Sequence, residues 1–353
     1  MLTCNIGKKL GGFSLDVNIS VEPGVTALLG ASGSGKSMTL RCIAGISKPD
    51  RGRIELNGVA LFDSEKKINL PPQKRNTGFL FQDYALFPNM TVRQNIMAGA
   101  KGKTAREKQA AAEELSEAFH IAPHLDKHPV QLSGGEKQRC ALARILAGSP
   151  DILMLDEPFG ALDSHLRWAL EIELAETFKR FRKPVLYVSH NRSEIFRLCD
   201  NIVIINGGRN EACGDKWGIF KNPATVQAAR VTGCKNIAAA QVAGTRVSVP
   251  DWGICFEPGD IPNDVDHIGI RANHIIPVSA AKKEDIAVAF PFEIANEIED
   301  TFTYILMVRK QGTDLPVIRW EIPKKDRAAL KEMPQELAFL REHILYLKQE
   351  GKQ

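Results

Sequence analysis

A short apolar run, Val25-Thr-Ala-Leu-Leu29, leads into Gly30-Ala31-Ser32-Gly33-Ser34-Gly35-Lys36-Ser37, and a stretch with helix-forming character, Ser37 to Ile46, follows. The spacing G-x-x-x-x-G-K-S between a strand and a helix is that of a P-loop. It constrains the fold more than any other segment, because it asks for a buried parallel strand, a tight glycine turn and a helix packed back along a sheet. A Gly/Ser-rich connector could match the spacing but would lack the flanks. Gly30, Gly33 and Gly35 let the backbone curl until its N–H groups face phosphate oxygens, and the helix N-terminus adds partial positive charge. Lys36 is placed to reach the β- and γ-phosphates, and the Ser37 hydroxyl to ligate Mg²⁺. Ala31, Ser32, Ser34 and Met38 complete the set expected around a nucleoside triphosphate.

Three further segments suit phosphate chemistry. Ile152-Leu-Met-Leu-Asp156-Glu157 is an apolar run ending in two carboxylates. Asp156 is placed to hold Mg²⁺ through water, and Glu157 to polarise an attacking water as general base. A capped core strand is the plainer reading, and the P-loop on the same chain favours the chemical one. Pro184-Val-Leu-Tyr-Val-Ser-His190 is a second apolar run that delivers His190 to its C-terminal end, where ligands of open α/β sheets sit. Leu132-Ser133-Gly134-Gly135-Glu136-Lys-Gln is another glycine-bearing helix start, with Ser133 a natural N-cap. A second such start is what a protein needs if two copies close over shared nucleotide.

With these segments in this order, the chain resembles the ATP-binding cassette (ABC) ATPases over roughly residues 1–230. The resemblance implies an α/β P-loop NTPase fold with a helical subdomain over about 83–150. It makes residues 30–37 the Walker A loop, 132–136 the signature, Asp156 and Glu157 the Walker B acids, Ala161-Leu-Asp163 the D-loop and His190 the switch histidine. Gln82, in Phe79-Leu-Phe-Gln82-Asp-Tyr, becomes the Q-loop glutamine that senses Mg²⁺ and the partner. ATP and Mg²⁺ are the implied cofactors. The implied assembly is a head-to-tail homodimer, in which Ser133 and the N–H groups of Gly134 and Gly135 face the γ-phosphate on the partner's Lys36. One position departs from the pattern. Leu10, in Lys9-Leu10-Gly-Gly-Phe13, stands where many cassettes stack adenine on an aromatic ring, and Phe13 lies close by.

Composition agrees with an intracellular ATPase. Hydrophobic residues are 44% and charged residues 25%, ordinary for a globular protein. Seven scattered cysteines with no C-x-x-C pair argue against a disulfide framework or a zinc site, and for a reducing compartment. No apolar run is long enough to span a bilayer, and the N-terminus lacks a signal-peptide core. A net charge of +4 does not argue for nucleic acid. His120, His124 and His128 recur at helical spacing, but Pro123 and Pro129 interrupt the stretch, which reads as surface.

Texture changes after Phe220-Lys-Asn-Pro223. Short β runs broken by turns, among them Arg246 to Val249, Ile268 to Arg271, Phe302 to Val308 and Val317 to Trp320, suggest an all-β, barrel-like or sandwich domain over 231–353. Cassettes with such a domain are typical importer ATPases. His267-Ile-Gly-Ile-Arg271-Ala-Asn-His274 resembles their “G-I-R-P-E” strand in an oligonucleotide-fold-like domain, with Ala272-Asn273 replacing Pro-Glu. Thr232-Gly-Cys-Lys-Asn-Ile237 resembles the junction in molybdate and sulfate importers.

The expected function is therefore ATP hydrolysis that energises uptake of a small solute, an oxyanion such as molybdate or sulfate, from the cytoplasmic face of the membrane. Iron, polyamine and sugar importers are alternatives, as are soluble non-transport cassettes and a degenerate binding module. The stretch from Gln82 to the signature has no heptad run, which disfavours the DNA-repair type. Implied partners are permease subunits, with Leu86 and Phe87 at the docking loop, and indirectly an extracytoplasmic solute-binding protein. The C-terminal domain is expected to regulate or hold the dimer, with Lys235, Arg246, Arg271, Arg309 and Arg319 as possible anion contacts.

Overall fold

The computed structural model describes residues 1–100, 104–160, 164–257, 261–262, 264–329 and 332–349, and for 164–166 the backbone alone. These residues form two units, Met1–Lys216 and Trp217–Gln353.

The first unit is built on a sheet of 11 described strands. In chain order they are β1 (Leu2–Leu10), β2 (Phe13–Val21), β3 (Gly24–Leu29), β4 (Arg51–Leu56), β5 (Val59–Asp63), β6 (Ile68–Asn69), β7 (Thr77–Leu80), β8 (Ile152–Asp156), β9 (Pro184–Val188), β10 (Asn201–Asn206) and β11 (Arg209–Asp215). Across the sheet the order is β6-β5-β4-β1-β2-β11-β10-β3-β9-β8-β7. Composition separates two kinds of strand. In β2, Leu15, Val17, Ile19 and Val21 are buried and the residues between them are not, the period-two pattern of a sheet with one face in the core. In β8 and β9 every residue is buried, as parallel strands covered on both faces must be.

Helices α1 (Lys36–Ala44), α2 (Val92–Gly99), α3 (Ala105–Ala118), α4 (Gly134–Ala147), α5 (Ser164–Phe181) and α6 (Arg192–Leu198) fill the connections. Thr91, Thr104 and Ser133 start α2, α3 and α4 with complete capping boxes, their third helical residues being Gln94, Glu107 and Glu136. The far end of α1 is closed differently. Arg75, 1% exposed, donates to the carbonyls of Cys42 and Ile43 at 2.8 Å each, supplying cationic donors to a helix C-terminus.

The second unit begins within α7 (Lys216–Lys221), at Trp217, and continues with α8 (Val226–Val231). The expected boundary at 230/231 falls inside α8, whose Val226 and Ala229 pack with Leu345 and Leu347. The strands are β12 (Asn236–Ala239), β13 (Gln241–Ala243), β14 (Arg246–Val249), β15 (Ile254–Phe256), β16 (His267–Ile270), β17 (Ile275–Pro277), β18 (Ile286–Glu299), β19 (Thr303–Lys310), β20 (Ile318–Pro323), β21 (Glu336–Leu340) and β22 (Ile344–Leu347), with α9 (Lys324–Ala329) after β20. They make three sheets, β12-β16-β22, β13-β14-β15 and β17-β21-β18-β19-β20. Residues from all three, including Val247, Ile268, Phe290, Trp320 and Phe339, share one core. The all-β, barrel-like expectation is met as short sheets curled around that core.

Four of the five cations offered to an anion are already engaged within this unit. Arg271 donates to the carbonyls of Thr232 and Phe220, Arg309 pairs with Glu293 and Asp314, Arg319 with Glu321, and Arg246 reaches Cys255 Sγ. An anion would compete with these contacts, because a guanidinium already bonded has fewer free donors.

Candidate functional site

The parallel strands β3, β9, β8 and β7 are neighbours in that order, and each delivers a predicted residue at its C-terminal end. The P-loop follows β3, His190 follows β9, Asp156 ends β8 and Gln82 follows β7. Register aligns the ends, with Leu28 opposite Val188, Asp156 opposite Val188 and Leu80 opposite Leu155. A single edge of the sheet thus gathers groups that lie far apart in sequence.

Gly35 has φ +108, and a Cβ there would meet Leu15 Cδ1 at 2.6 Å, so the turn into α1 requires glycine. At Gly30 the reason is close approach, since a Cβ would lie 2.1 Å from the Ile205 carbonyl oxygen. Lys36 folds its amine into the loop, donating to the Gly30 and Ala31 carbonyls at 3.0 and 2.8 Å. Burial lowers its pKa, while Glu157 and Asp156 nearby pull the other way. Ser37 Oγ donates to Asp156 Oδ1 at 2.8 Å. Burial raises the Asp156 pKa, against the opposing effect of that hydrogen bond.

Glu157 is the one residue of the acid pair with unusual backbone. Its φ is +49, a left-handed conformation that costs a non-glycine residue about 1–3 kcal/mol. Its N–H donates to the Val188 carbonyl at 2.9 Å, which holds the turn to the end of β9. Its Oε1 lies 3.4 Å from Nδ1 of His190, whose ring is 70% exposed.

Gly30, Ser32, Gly33, Gly35, Lys36, Ser37, Met38, Glu157 and His190 line one cleft of about 540 Å³. Leu10 and Phe13 line it too, so both candidates for the base lie at the same cleft. Arg41, one turn beyond Ser37, is a further lining residue that motif spacing did not single out. Gln82 is not in the cleft lining; its Nε2 lies 3.4 Å from a Cβ built on Gly160, a position that Glu157 Oε2 also approaches at 3.7 Å. Asp163 and the rest of Ala161-Leu-Asp163 lie outside the described residues.

Ser133, Gly134 and Gly135 are not part of this cleft. Ser133 accepts the Glu136 N–H at 3.4 Å and donates its own N–H to Glu136 Oε2 at 2.7 Å, so it caps α4. That backbone donor holds the Glu136 carboxyl below its ordinary value. Glu136 Oε1 also meets His124 Nε2 at 2.9 Å, which gives one of the three histidines a place beside the signature.

The cleft offers hard oxygen donors, a hydroxyl and a carboxylate, beside a lysine and a glycine-lined turn. That donor set fits Mg²⁺ with a nucleotide polyphosphate. Among the described residues no helix is long and apolar enough to cross a membrane.

Several known ATP-binding proteins are similar to this chain. The sequence profile described as ABC transporter matches residues 15–160. The molybdenum import ATP-binding protein ModC of Paramagnetospirillum magneticum is 42% identical over 63% of this chain, which spans 61% of that protein's length. The sulfate/thiosulfate import ATP-binding protein CysA of Synechococcus elongatus is 36% identical over 83% of each chain. Among solved structures, a dimeric ATP-binding cassette in a post-hydrolysis state, bound to ADP and phosphate, superposes with a TM-score of 0.52 at 27% identity, covering 61% of this chain and 98% of that one.

Proposed function

Because the chain belongs to the ATP-binding proteins of the ABC transporter family, we propose that it is the ATP-hydrolysing subunit of an importer, energising uptake of an oxyanion of the molybdate or sulfate type. The observation that carries the reading is the convergence of Glu157 and His190, 3.4 Å apart, on the cleft lined by the P-loop. Lys36 and the loop N–H groups bind and orient the β- and γ-phosphates. Ser37 and Asp156 would hold Mg²⁺, which would supply charge neutralisation on the phosphates. The Glu157 carboxylate accepts a proton from the attacking water, and His190 orients that carboxylate. Ser133, Gly134 and Gly135 complete the site of a second copy in a head-to-tail dimer on the cytoplasmic face of the membrane.

The substrate class rests on the relatives named for molybdenum and sulfate/thiosulfate import. It is tested by uptake of labelled molybdate, sulfate and ferric iron in cells deleted for this chain and complemented with it. Restored molybdate or sulfate uptake supports the reading, whereas restored iron uptake alone overturns the oxyanion class.

Docking to a permease is proposed at a groove of about 360 Å³ lined by Phe79, Phe81, Phe87, Ala98, Arg144 and Ile145, among others. Phe87 is 46% exposed, while Leu86 is not in the lining. Tyr84 and Ala85 both have positive φ, and Arg144 on α4 donates to their carbonyls at 3.0 and 2.8 Å while lying over the Phe87 ring at 5.0 Å. The groove is thus tied to the signature helix. Phe87→Asp is expected to abolish uptake while leaving ATP binding by the isolated chain unchanged, as measured by transport and calorimetry in parallel.

Asp156 adds a stability prediction. Its folded pKa is raised, so ionisation costs stability at neutral pH, and the cost is relieved as pH falls through the folded value toward the ordinary carboxylate range. Asp156→Asn keeps an acceptor for Ser37 and removes the charge. In a thermal scan the nucleotide-free variant should melt higher than the unmodified chain at pH 7, and the difference should shrink as the pH falls toward the ordinary carboxylate range. Mg²⁺-dependent hydrolysis should be lost.

A further inference from the structure

The turn that carries His190 is held by a buried carboxylate with no place in the cleft. Glu194, in the first turn of α6, is 3% exposed. Its Oε2 accepts from Ser189 Oγ at 2.7 Å and from the Tyr187 hydroxyl at 3.1 Å, and its Oε1 faces Arg167 Nη1 at 3.6 Å. A buried carboxylate persists where donors surround it, and these three do so. Burial and the neighbouring Glu194 push the Tyr187 hydroxyl well above its ordinary range, which keeps it a donor.

The bonds converge on the residues either side of His190. Ser189 Oγ, while donating to Glu194, accepts the Asn191 N–H at 3.0 Å. Asn191 Oδ1 in turn accepts the N–H groups of Ser193 and Glu194 at 3.0 and 3.3 Å, capping α6. On the other side, Arg167 Nη2 donates to the Phe159 carbonyl at 3.4 Å, on the segment that leaves Glu157. One carboxylate therefore braces both the turn carrying His190 and, through Arg167, the segment after Glu157. The His190 ring has no such enclosure, being 70% exposed, so its position follows from its backbone.

We propose that Glu194 and Ser189 are positioning residues, which set His190 against the Glu157 carboxylate by clamping the backbone on both sides of the histidine. The proposal rests on the ATPase reading above. Positioning matters at this scale because a displacement of about 1 Å can cost on the order of 10²-fold in rate.

The test uses the full chain with Mg²⁺ and ATP. Ser189→Ala removes the relay hydroxyl and leaves Glu194 its other two donors. It is expected to lower kcat by about 10- to 100-fold, with KM for ATP within about twofold, the pattern of an interaction realised in the transition state. Ser189→Thr, which keeps the hydroxyl, should recover most of the rate. In a His190→Ala background, Ser189→Ala should cost nothing more, because both changes act through one ring. A merely structural role predicts the same fractional loss with and without His190, and that result would overturn the proposal. If Ser189→Ala does not fold, Tyr187→Phe enters the same cycle with the same expected outcomes. An active chain indifferent to these changes overturns this proposal alone; an unmodified chain without ATPase activity overturns the functional reading as well.

Discussion

Glu157→Gln is expected to bind ATP normally and to hydrolyse it about 10²–10⁴ times more slowly, the usual cost of losing a general base. The amide matches the carboxylate in size but cannot take the water's proton. The strained backbone at φ +49 and its hydrogen bond to the Val188 carbonyl do not depend on the side chain, so the turn should keep its shape. With hydrolysis blocked, nucleotide should persist between two copies and hold them together. Light scattering of the variant with Mg²⁺ and ATP should report a dimer that the unmodified chain forms only transiently. Near-normal turnover in a single-turnover assay would remove Glu157 from the role of base.

Lys36→Ala is expected to fail earlier, at binding. The amine is a charged donor at the phosphates, and such hydrogen bonds contribute about 1.5–3 kcal/mol, roughly 10- to 100-fold in affinity. In the protein the same amine bridges the Gly30 and Ala31 carbonyls, so the substitution also loosens the loop whose N–H groups must face the phosphates. Titration calorimetry with Mg²⁺ and ATP should show the loss directly. Unchanged affinity would mean that the loop N–H groups alone bind the phosphates. Lys36→Ala should not dimerise on adding ATP, which separates it from Glu157→Gln.

Local chemistry made much of the first unit legible in the sequence. The P-loop announces itself because Gly35 needs positive φ and Gly30 needs close approach, requirements met within a few residues. The Ser133 cap and its Glu136 partner are likewise three residues apart. Strands β8 and β9 are legible because full burial demands uninterrupted apolar runs, and β3 because it is buried from Val25 to Leu29. The C-terminal unit was less legible. β18 mixes Pro291 with glutamates and is largely half-buried or exposed, so no period marks its 14 residues. α7 and α8 are six residues each, too short for a helical period to show. The arginines that read as anion contacts proved to be engaged by carbonyls, carboxylates or a thiol close in space, such as Phe220 and Thr232 around Arg271.

Short-range backbone geometry specifies the groups this protein brings to a nucleotide, a glycine turn, a lysine and two acids at strand ends, and so they are legible residue by residue. That β3, β9, β8 and β7 lie side by side is a property of the assembled sheet. Strand order depends on how crossover helices pack, a long-range balance that no local spacing encodes. That order alone puts His190 3.4 Å from Glu157 and seats Glu194 beneath the turn that carries it.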